Sequence, residues 1–279
     1  MIPTTAQPTR ETSPASLLIY GPPKVGKTHF IGQLSEALVA FEKLKQVPQQ
    51  EAIPYRLLHI GTEIGSLEGV SGYKLEASNL KNFKSLASQL QEQYNRVQRQ
   101  YGFVVIDTVD SMELIAEELA LEMYKSRPMG KNFDGQSVLE LERGGGYFWL
   151  REAFKTMENW IKPYAKRIIY IGHVKDKSIN KSGTEVSARD VNLTGKIAQI
   201  LCSHTDAIGF MYREEGKVTL SFRSDDESIV CGCRQAYLAG KVLTNPSWDE
   251  IYPELGKVYE ALADNQESEK KPSRTLHLQ

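Results

Sequence analysis

Residues 21–28 read Gly21-Pro22-Pro23-Lys24-Val25-Gly26-Lys27-Thr28. This octapeptide constrains the chain more than any other stretch. It follows a short apolar run, Leu17-Leu18-Ile19-Tyr20, and precedes residues of helical spacing. A buried strand, a glycine loop and a helix in that order form a phosphate loop. Gly21 and Gly26 lack a Cβ, so the backbone can curl with its N–H groups facing an anion. The helix that opens at about Thr28 adds the positive end of its dipole, next to His29. Lys27 is expected to reach the β and γ phosphates, and the Thr28 hydroxyl to ligate Mg2+. The expected ligands are therefore a nucleoside triphosphate, read as ATP with GTP left open, and Mg2+. The alternative is an ordinary strand–helix turn, which the agreement of octapeptide, strand and helix disfavours.

The rest of the chain supplies what such a loop needs around it. Phe30, Ile31, Leu34, Leu38 and Phe41 predict a helix to about Lys45. Tyr55–Ile60 reads as a second strand, ending at Gly61-Thr62-Glu63. A long amphipathic helix carries Phe83, Leu86, Leu90, Tyr94 and Val97. Phe103-Val104-Val105-Ile106 then forms a buried strand ending in Asp107-Thr108, a carboxylate where open parallel sheets bind ligands. Asp107 is the expected second Mg2+ partner, held through water. The alternative is a carboxylate that only caps the next helix, expected near Ser111. Residues 126–146 read as a long loop, and 147–164 return to helix. Ile168–Ile171 is a fourth strand, ending in Gly172-His173. Residues 174–194 read as a second long polar loop. A short helix over 195–203 follows, then a β-hairpin of 207–212 with 218–222 around Gly216.

Strands alternating with helices from 17 to 173 predict an α/β fold with a mainly parallel sheet. Its strand ends would bring Lys27, Thr28, Glu63, Asp107 and His173 to one edge. Phosphoryl transfer needs charge neutralisation, a metal and a group that orients the nucleophile. Glu63 is the candidate for the last role, as a base toward water; a solvated loop acid is the alternative. His173 reads either as part of the site or as a hydrogen-bonded histidine at a strand end.

Composition bounds the rest. The 279 residues, 41% hydrophobic and 25% charged, suit one globular α/β domain. The expected organisation is a flexible 1–14 segment, an ATPase domain over 15–262 and a disordered tail over 263–279. The net charge of −1 confines any nucleic-acid site to a local patch. Such a patch exists. Residues 162–196 hold eight basic side chains against three acidic ones, a local +5, whereas 249–270 hold seven acids and two bases, a local −5. The three cysteines, Cys202, Cys231 and Cys233, form no disulfide or zinc framework and read as buried thiols of a reducing cytoplasm. No apolar run approaches the ~18 residues of a membrane span.

The order of phosphate loop, Ile60-Gly61-Thr62-Glu63, Val105-Ile106-Asp107-Thr108-Val109-Asp110 and Ile171-Gly172-His173-Val174 resembles a RecA-core P-loop ATPase. More closely, it is similar to the small phage nucleotide-binding proteins of that core, which include the Sak-type single-strand annealing proteins. The resemblance spans roughly residues 15–245. It implies a three-layer RecA-like core with a C-terminal β-hairpin, and a Mg2+-dependent ATPase of phage recombination. It makes Glu63 the water-activating base and His173 the γ-phosphate sensor, where recombinases often carry glutamine. It puts Lys175, Lys177, Lys181 and Arg189 on a single-stranded DNA path, with salt-sensitive phosphate contacts. It implies a homo-oligomer on DNA, a single-strand-binding protein as a further partner, and a location in the host cytoplasm. Arg234 is the candidate to complete a neighbouring subunit's nucleotide site; a surface arginine is the alternative. Rival readings are a DNA-independent switch or loader acting on a replication protein, and a small-molecule kinase, disfavoured by the lack of an arginine-rich lid.

Overall fold

The computed structural model describes residues 13–46, 48, 51, 56–98, 100–181, 184–223 and 228–270, with 177–181, 184–187 and 268–270 described by backbone alone. Its centre is a parallel sheet of β1 (Ser16–Gly21), β2 (Leu57–Gly61), β3 (Tyr73–Glu76), β4 (Tyr101–Asp107), β5 (Ala165–Lys181) and β7 (Ala207–Glu214). The order across the sheet is β3-β2-β4-β5-β1-β7, extended by antiparallel β8 (Lys217–Ser221) and β10 (Val242–Thr244). A two-residue strand, β9 (Gly232–Cys233), also pairs with β7.

The central strands are apolar throughout because both faces are covered. In β1, Leu18 and Tyr20 point into one core with Val104, Ile106, Phe83, Met112 and Phe154. Leu17 and Ile19 point into the other with Val105, Ile169, Phe30, Leu34 and Trp248. The first core is roofed by α2 (Leu80–Val97), α3 (Val109–Lys125), α4 (Gly146–Asn159) and α5 (Ile197–His204). The second is roofed by α1 (Lys27–Lys45), α6 (Trp248–Ile251) and α7 (Gly256–Lys270). This is an α/β core with a mainly parallel sheet, as the strand–helix alternation predicts, and it has the three-layer RecA-like form that the resemblance implies. Trp248 locks the C-terminal segment down: its ring stacks on Phe30 at 4.2 Å and its indole N–H donates to the Phe30 carbonyl at 2.8 Å.

Several expectations need correction. β3 is an extra edge strand inside a stretch too short and too exposed to show alternation. Helix α3 starts at Val109, two residues early, because Thr108 is its N-cap and accepts from the Ser111 N–H. That also removes Asp107 as the cap. Residues 126–146 hold three short 3-10 turns instead of open loop.

The largest correction is the polar segment 174–194. It forms a β-hairpin: β5 runs on beyond the sheet and pairs antiparallel with β6 (Thr184–Val191), in register from Val174↔Val191 to Lys181↔Thr184. Backbone ladders hold it, and its mostly polar sequence shows no period-two hydropathy pattern from which the strands could be read.

The 207–222 hairpin is as expected. Its turn residues Glu215 and Gly216 both have positive φ, 49° and 80°, the twist that two-residue hairpin turns favour. The tail expected from 263 is helical as far as Lys270, with Val258, Tyr259 and Leu262 against the α1 side of the core. The lead-in of 1–12 and the tail of 271–279 lie outside the described residues. The three cysteines form no disulfide and are half-buried instead of fully buried.

Candidate nucleotide-binding site

Parallel strands deliver their C-terminal ends to one edge, and the sheet order decides which ends are neighbours. β5 lies between β1 and β4, in register Gly21↔His173 and Asp107↔Ile171. The phosphate loop, Asp107 and His173 therefore meet around one cleft of about 270 Å3, lined by Lys24, Gly26, Lys27, Thr28, His29, Glu63, Ser66, Asp107, Thr108 and His173. A larger groove of about 640 Å3 runs along α2 and α3 past Leu80, Lys84 and Leu114, away from the strand ends.

The loop has the form of an anion cradle. Gly21 has no room for a Cβ, which would lie 2.0 Å from the Met211 carbonyl oxygen. Gly26 caps α1 at φ 115° with no side-chain cap, and the first turn of α1 holds no acid. The N-terminal amides of α1 thus have no internal anion to neutralise them. Val25 is buried in the core and pins the loop, while Pro22, Pro23 and Lys24 are exposed. His29 is exposed at the rim.

Lys27 is 5% exposed, and its Nζ donates to the Gly21 and Pro22 carbonyls, each at 2.9 Å. Burial lowers its pKa to about 8, against the opposing fields of Asp107, Asp110 and Glu63. The Thr28 hydroxyl donates to Asp107 Oδ2 at 2.8 Å. The same oxygen lies 3.1 Å from Nε2 of His59, a fully buried histidine on β2 whose Nδ1 has no hydrogen-bond partner among the described residues. A hydroxyl and a carboxylate side by side are the hard oxygen donors that Mg2+ prefers, so these residues fit that ion.

Glu63 sits just past β2. Its Oε1 accepts from the Thr108 hydroxyl at 3.0 Å and from the Ser111 hydroxyl at 2.8 Å. The Thr62 hydroxyl fixes the same junction: it donates to the Thr108 carbonyl at 2.7 Å and accepts from the Thr108 N–H at 2.8 Å. The Asp107–Thr108 peptide is cis.

His173 is held by Asp110, a carboxylate in the first turn of α3. Asp110 Oδ1 accepts from the His173 backbone N–H at 3.0 Å, and Oδ2 lies 2.5 Å from the ring Nδ1. That hydrogen bond raises the His173 pKa against burial. Burial pushes the Asp110 pKa up, but the bonds to His173 prevail and leave it lowered. Glu63, Asp110 and His173 each bring one ligand atom within 4.8 Å of the others. Glu63 and His173 line the cleft, and Asp110 holds His173 from behind.

Not every expected residue is here. Arg234 pairs with Asp206 at 3.0 Å and donates to the Ser203 carbonyl at 2.9 Å, at the edge of the sheet where β1 and β7 begin. That is the opposite edge from the phosphate loop, and a role in a neighbouring subunit would require breaking this pair. Lys175 donates to the Leu193 carbonyl across the hairpin. Arg189 on β6 is exposed, with its guanidinium 5.5 Å from the Phe210 ring centroid. The side chains of Lys177 and Lys181 lie outside the described residues.

Conversely, His59, Thr108, Asp110 and Ser111 were not singled out from sequence as site residues. A signal existed for Asp110: it is the second carboxylate of Asp107-Thr108-Val109-Asp110, on the first turn of a helix that starts at the site.

A phosphate loop on a parallel sheet, with a carboxylate on the next-but-one strand, defines a P-loop nucleoside triphosphatase with a RecA-like core. The chain belongs to the AAA domain family AAA_24, which it matches over residues 13–230. No curated protein matches it by sequence. Among solved structures it is similar to the RadB recombinase, at 13% identity, with a TM-score of 0.43, over 84% of this chain and 87% of that one. It is also similar to the flagellar accessory protein FlaH from Methanocaldococcus jannaschii, at 10% identity, with a TM-score of 0.39, over 84% and 85% of the two chains. Among the described residues, no helix is long and apolar enough to cross a membrane.

Proposed function

We propose that this protein is a Mg2+-dependent ATPase that turns over slowly and acts on single-stranded DNA, promoting the annealing of complementary strands in phage recombination. The observation that carries the ATPase reading is the meeting of Lys27, Thr28, Glu63, Asp107 and His173 around one cleft. Mg2+, when bound, would neutralise charge between the β and γ phosphates, with the Thr28 hydroxyl and Asp107 carboxylate as its protein partners. Lys27 would leave the loop carbonyls for the phosphates, whose negative charge favours its ammonium form. Glu63 would take the proton from the attacking water as the water oxygen bonds to the γ phosphorus and the β–γ bridge breaks. His173, whose protonated form the Asp110 hydrogen bond favours, would donate toward the γ phosphate.

The DNA reading is supported by the local +5 of residues 162–196 and by a hairpin that starts at His173, next to the cleft. Nucleotide-dependent contact with the DNA backbone would follow from that adjacency. The test is ATP turnover of the purified protein with and without single-stranded DNA across a salt series. Stimulation that fades with salt is expected. No stimulation, and no complex at low salt, would favour a DNA-independent switch or loader.

A further inference from the structure

The hairpin is tied to the nucleotide cleft at two points, both on one face of α3. Asp110 accepts the backbone N–H of His173, the last residue before the hairpin arm, and also engages its ring. Glu113, three residues on and so on the same helix face, accepts the backbone N–H of Thr194 through both carboxylate oxygens, at 2.9 and 3.0 Å. Thr194 lies three residues past the end of β6. Between these points the Asn192 N–H donates to the His173 carbonyl at 2.9 Å and closes the neck of the hairpin. Glu113 is only 7% exposed and lines none of the cleft. A buried carboxylate costs folding free energy unless charged-form hydrogen bonds offset it. Here the Thr194 amide supplies part of that offset, and burial still leaves the Glu113 pKa raised.

The N-terminal turn of α3 also holds the cleft. Thr108 and Ser111 donate to Glu63, and the Thr108 hydroxyl lies 3.2 Å from Asp110 Oδ2. One attachment would leave the hairpin free to pivot, whereas two fix its angle to the helix. We propose that Asp110 and Glu113 are positioning residues, a two-point clamp that makes the β5–β6 hairpin follow the N-terminus of α3 as the cleft gains or loses nucleotide. At its nucleotide end this rests on the ATPase reading above; at its hairpin end it rests on the hydrogen bonds alone.

The experiment is amide hydrogen exchange on the full-length chain, with wild type, Glu113→Ala and Glu113→Gln compared without nucleotide and with Mg2+ and a slowly hydrolysed ATP analogue. Binding of a fluorescent ATP analogue is titrated in parallel. Without nucleotide, Glu113→Ala should speed exchange of the Thr194 amide by about tenfold or more, the effect of losing one buried hydrogen bond. Glu113→Gln, which keeps a neutral acceptor, should fall between. With nucleotide, the amides of 174–176 and 188–191 should change protection in wild type. In Glu113→Ala that response should be lost at unchanged nucleotide affinity, which a merely structural role would not produce.

Unchanged Thr194 exchange in Glu113→Ala overturns the clamp, and so does a hairpin response of wild-type size. If Glu113→Ala does not fold, Glu113→Gln decides: wild-type exchange and response there overturn the proposal as well. Wild-type protein that binds no nucleotide overturns the ATPase reading and the nucleotide end of the clamp, while the nucleotide-free comparison still decides the hairpin end.

Discussion

The hydroxyl of Thr28 donates to the carboxylate of Asp107 at 2.8 Å, across 79 residues of sequence. The bond joins the end of the phosphate loop to the end of β4, over a strand that separates β1 from β4 in the sheet. It sets two hard oxygens side by side at the floor of the cleft, beside an amine that currently serves only loop carbonyls.

Lys27→Ala should lower ATP turnover by about 100-fold or more, since the developing phosphate charge loses its nearest cation. Phosphate release by the purified variant measures it, with circular dichroism as the fold control. Turnover near wild type would remove the cleft from consideration.

Glu63→Gln should retain nucleotide and lose hydrolysis by about 10²–10⁴-fold, the usual worth of a general base. The glutamine carbonyl can still accept from Thr108 and Ser111, so the junction should hold. A parallel loss of affinity in a binding titration would assign Glu63 a structural role instead.

The Asp110–His173 pair predicts a pH window. His173 has a raised pKa, so its contribution is complete below its ordinary value of 6.5 and is lost as pH rises through the raised one. Asp110 has a lowered pKa, so its contribution is complete above its ordinary value of 3.8 and is lost as pH falls through the lowered one. The stability difference between wild type and His173→Gln should therefore be largest between these two values and shrink on either side. Its size should be on the order of 1 kcal/mol, because the pair is partly open to water. Urea unfolding over a pH series measures it; a flat difference would mean the ion pair contributes nothing.

Replacing Lys175, Lys177 and Lys181 together with glutamine should weaken single-stranded DNA binding and leave ATP affinity unchanged. If all three contact phosphates, the slope of log affinity against log salt should fall by about 2, since each charge contributes about 0.7. Fluorescence anisotropy of a labelled oligonucleotide reads both quantities. An unchanged slope would take this hairpin off the path.

Trp248→Ala should cost about 3–5 kcal/mol of stability, as large buried aromatics do. The side chain is 1% exposed, stacks on Phe30 and donates to its carbonyl. Chemical denaturation followed by circular dichroism tests it. A cost below about 1 kcal/mol would mean that α6 does not secure α1.

Much of this site was legible because its parts are short-range. Gly21, Gly26, Lys27 and Thr28 owe their arrangement to backbone freedom and spacing within eight residues. The carboxylates and the histidine at strand ends announce themselves because an apolar run stops at a polar residue. Glu63, Asp107 and His173 could be named in that way without knowing which strand lies beside which.

Partnership was not legible, since it is set by contacts between distant segments. The hairpin of β5 and β6 escaped because a ladder of backbone bonds can hold mostly polar strands whose sequence shows no hydropathy alternation. His59 looked like any residue of an apolar strand until the β2–β4 pairing, with His59 beside Val105 and Gly61 beside Asp107, brought its ring within 3.1 Å of the Asp107 carboxylate. Arg234 read as a candidate by its chemistry alone, and the register of β9 on β7 carries it to the far edge. Local sequence thus determined a phosphate cradle, a sheet and the polar groups at its strand ends. The strand order, which puts β5 between β1 and β4, decided which of those groups meet and that Asp110 and Glu113 fasten the hairpin beside them. The physical reason is range: spacing governs a turn or a cap within a few bonds, whereas the pairing of strands and carboxylates is chosen by the packing of the whole core.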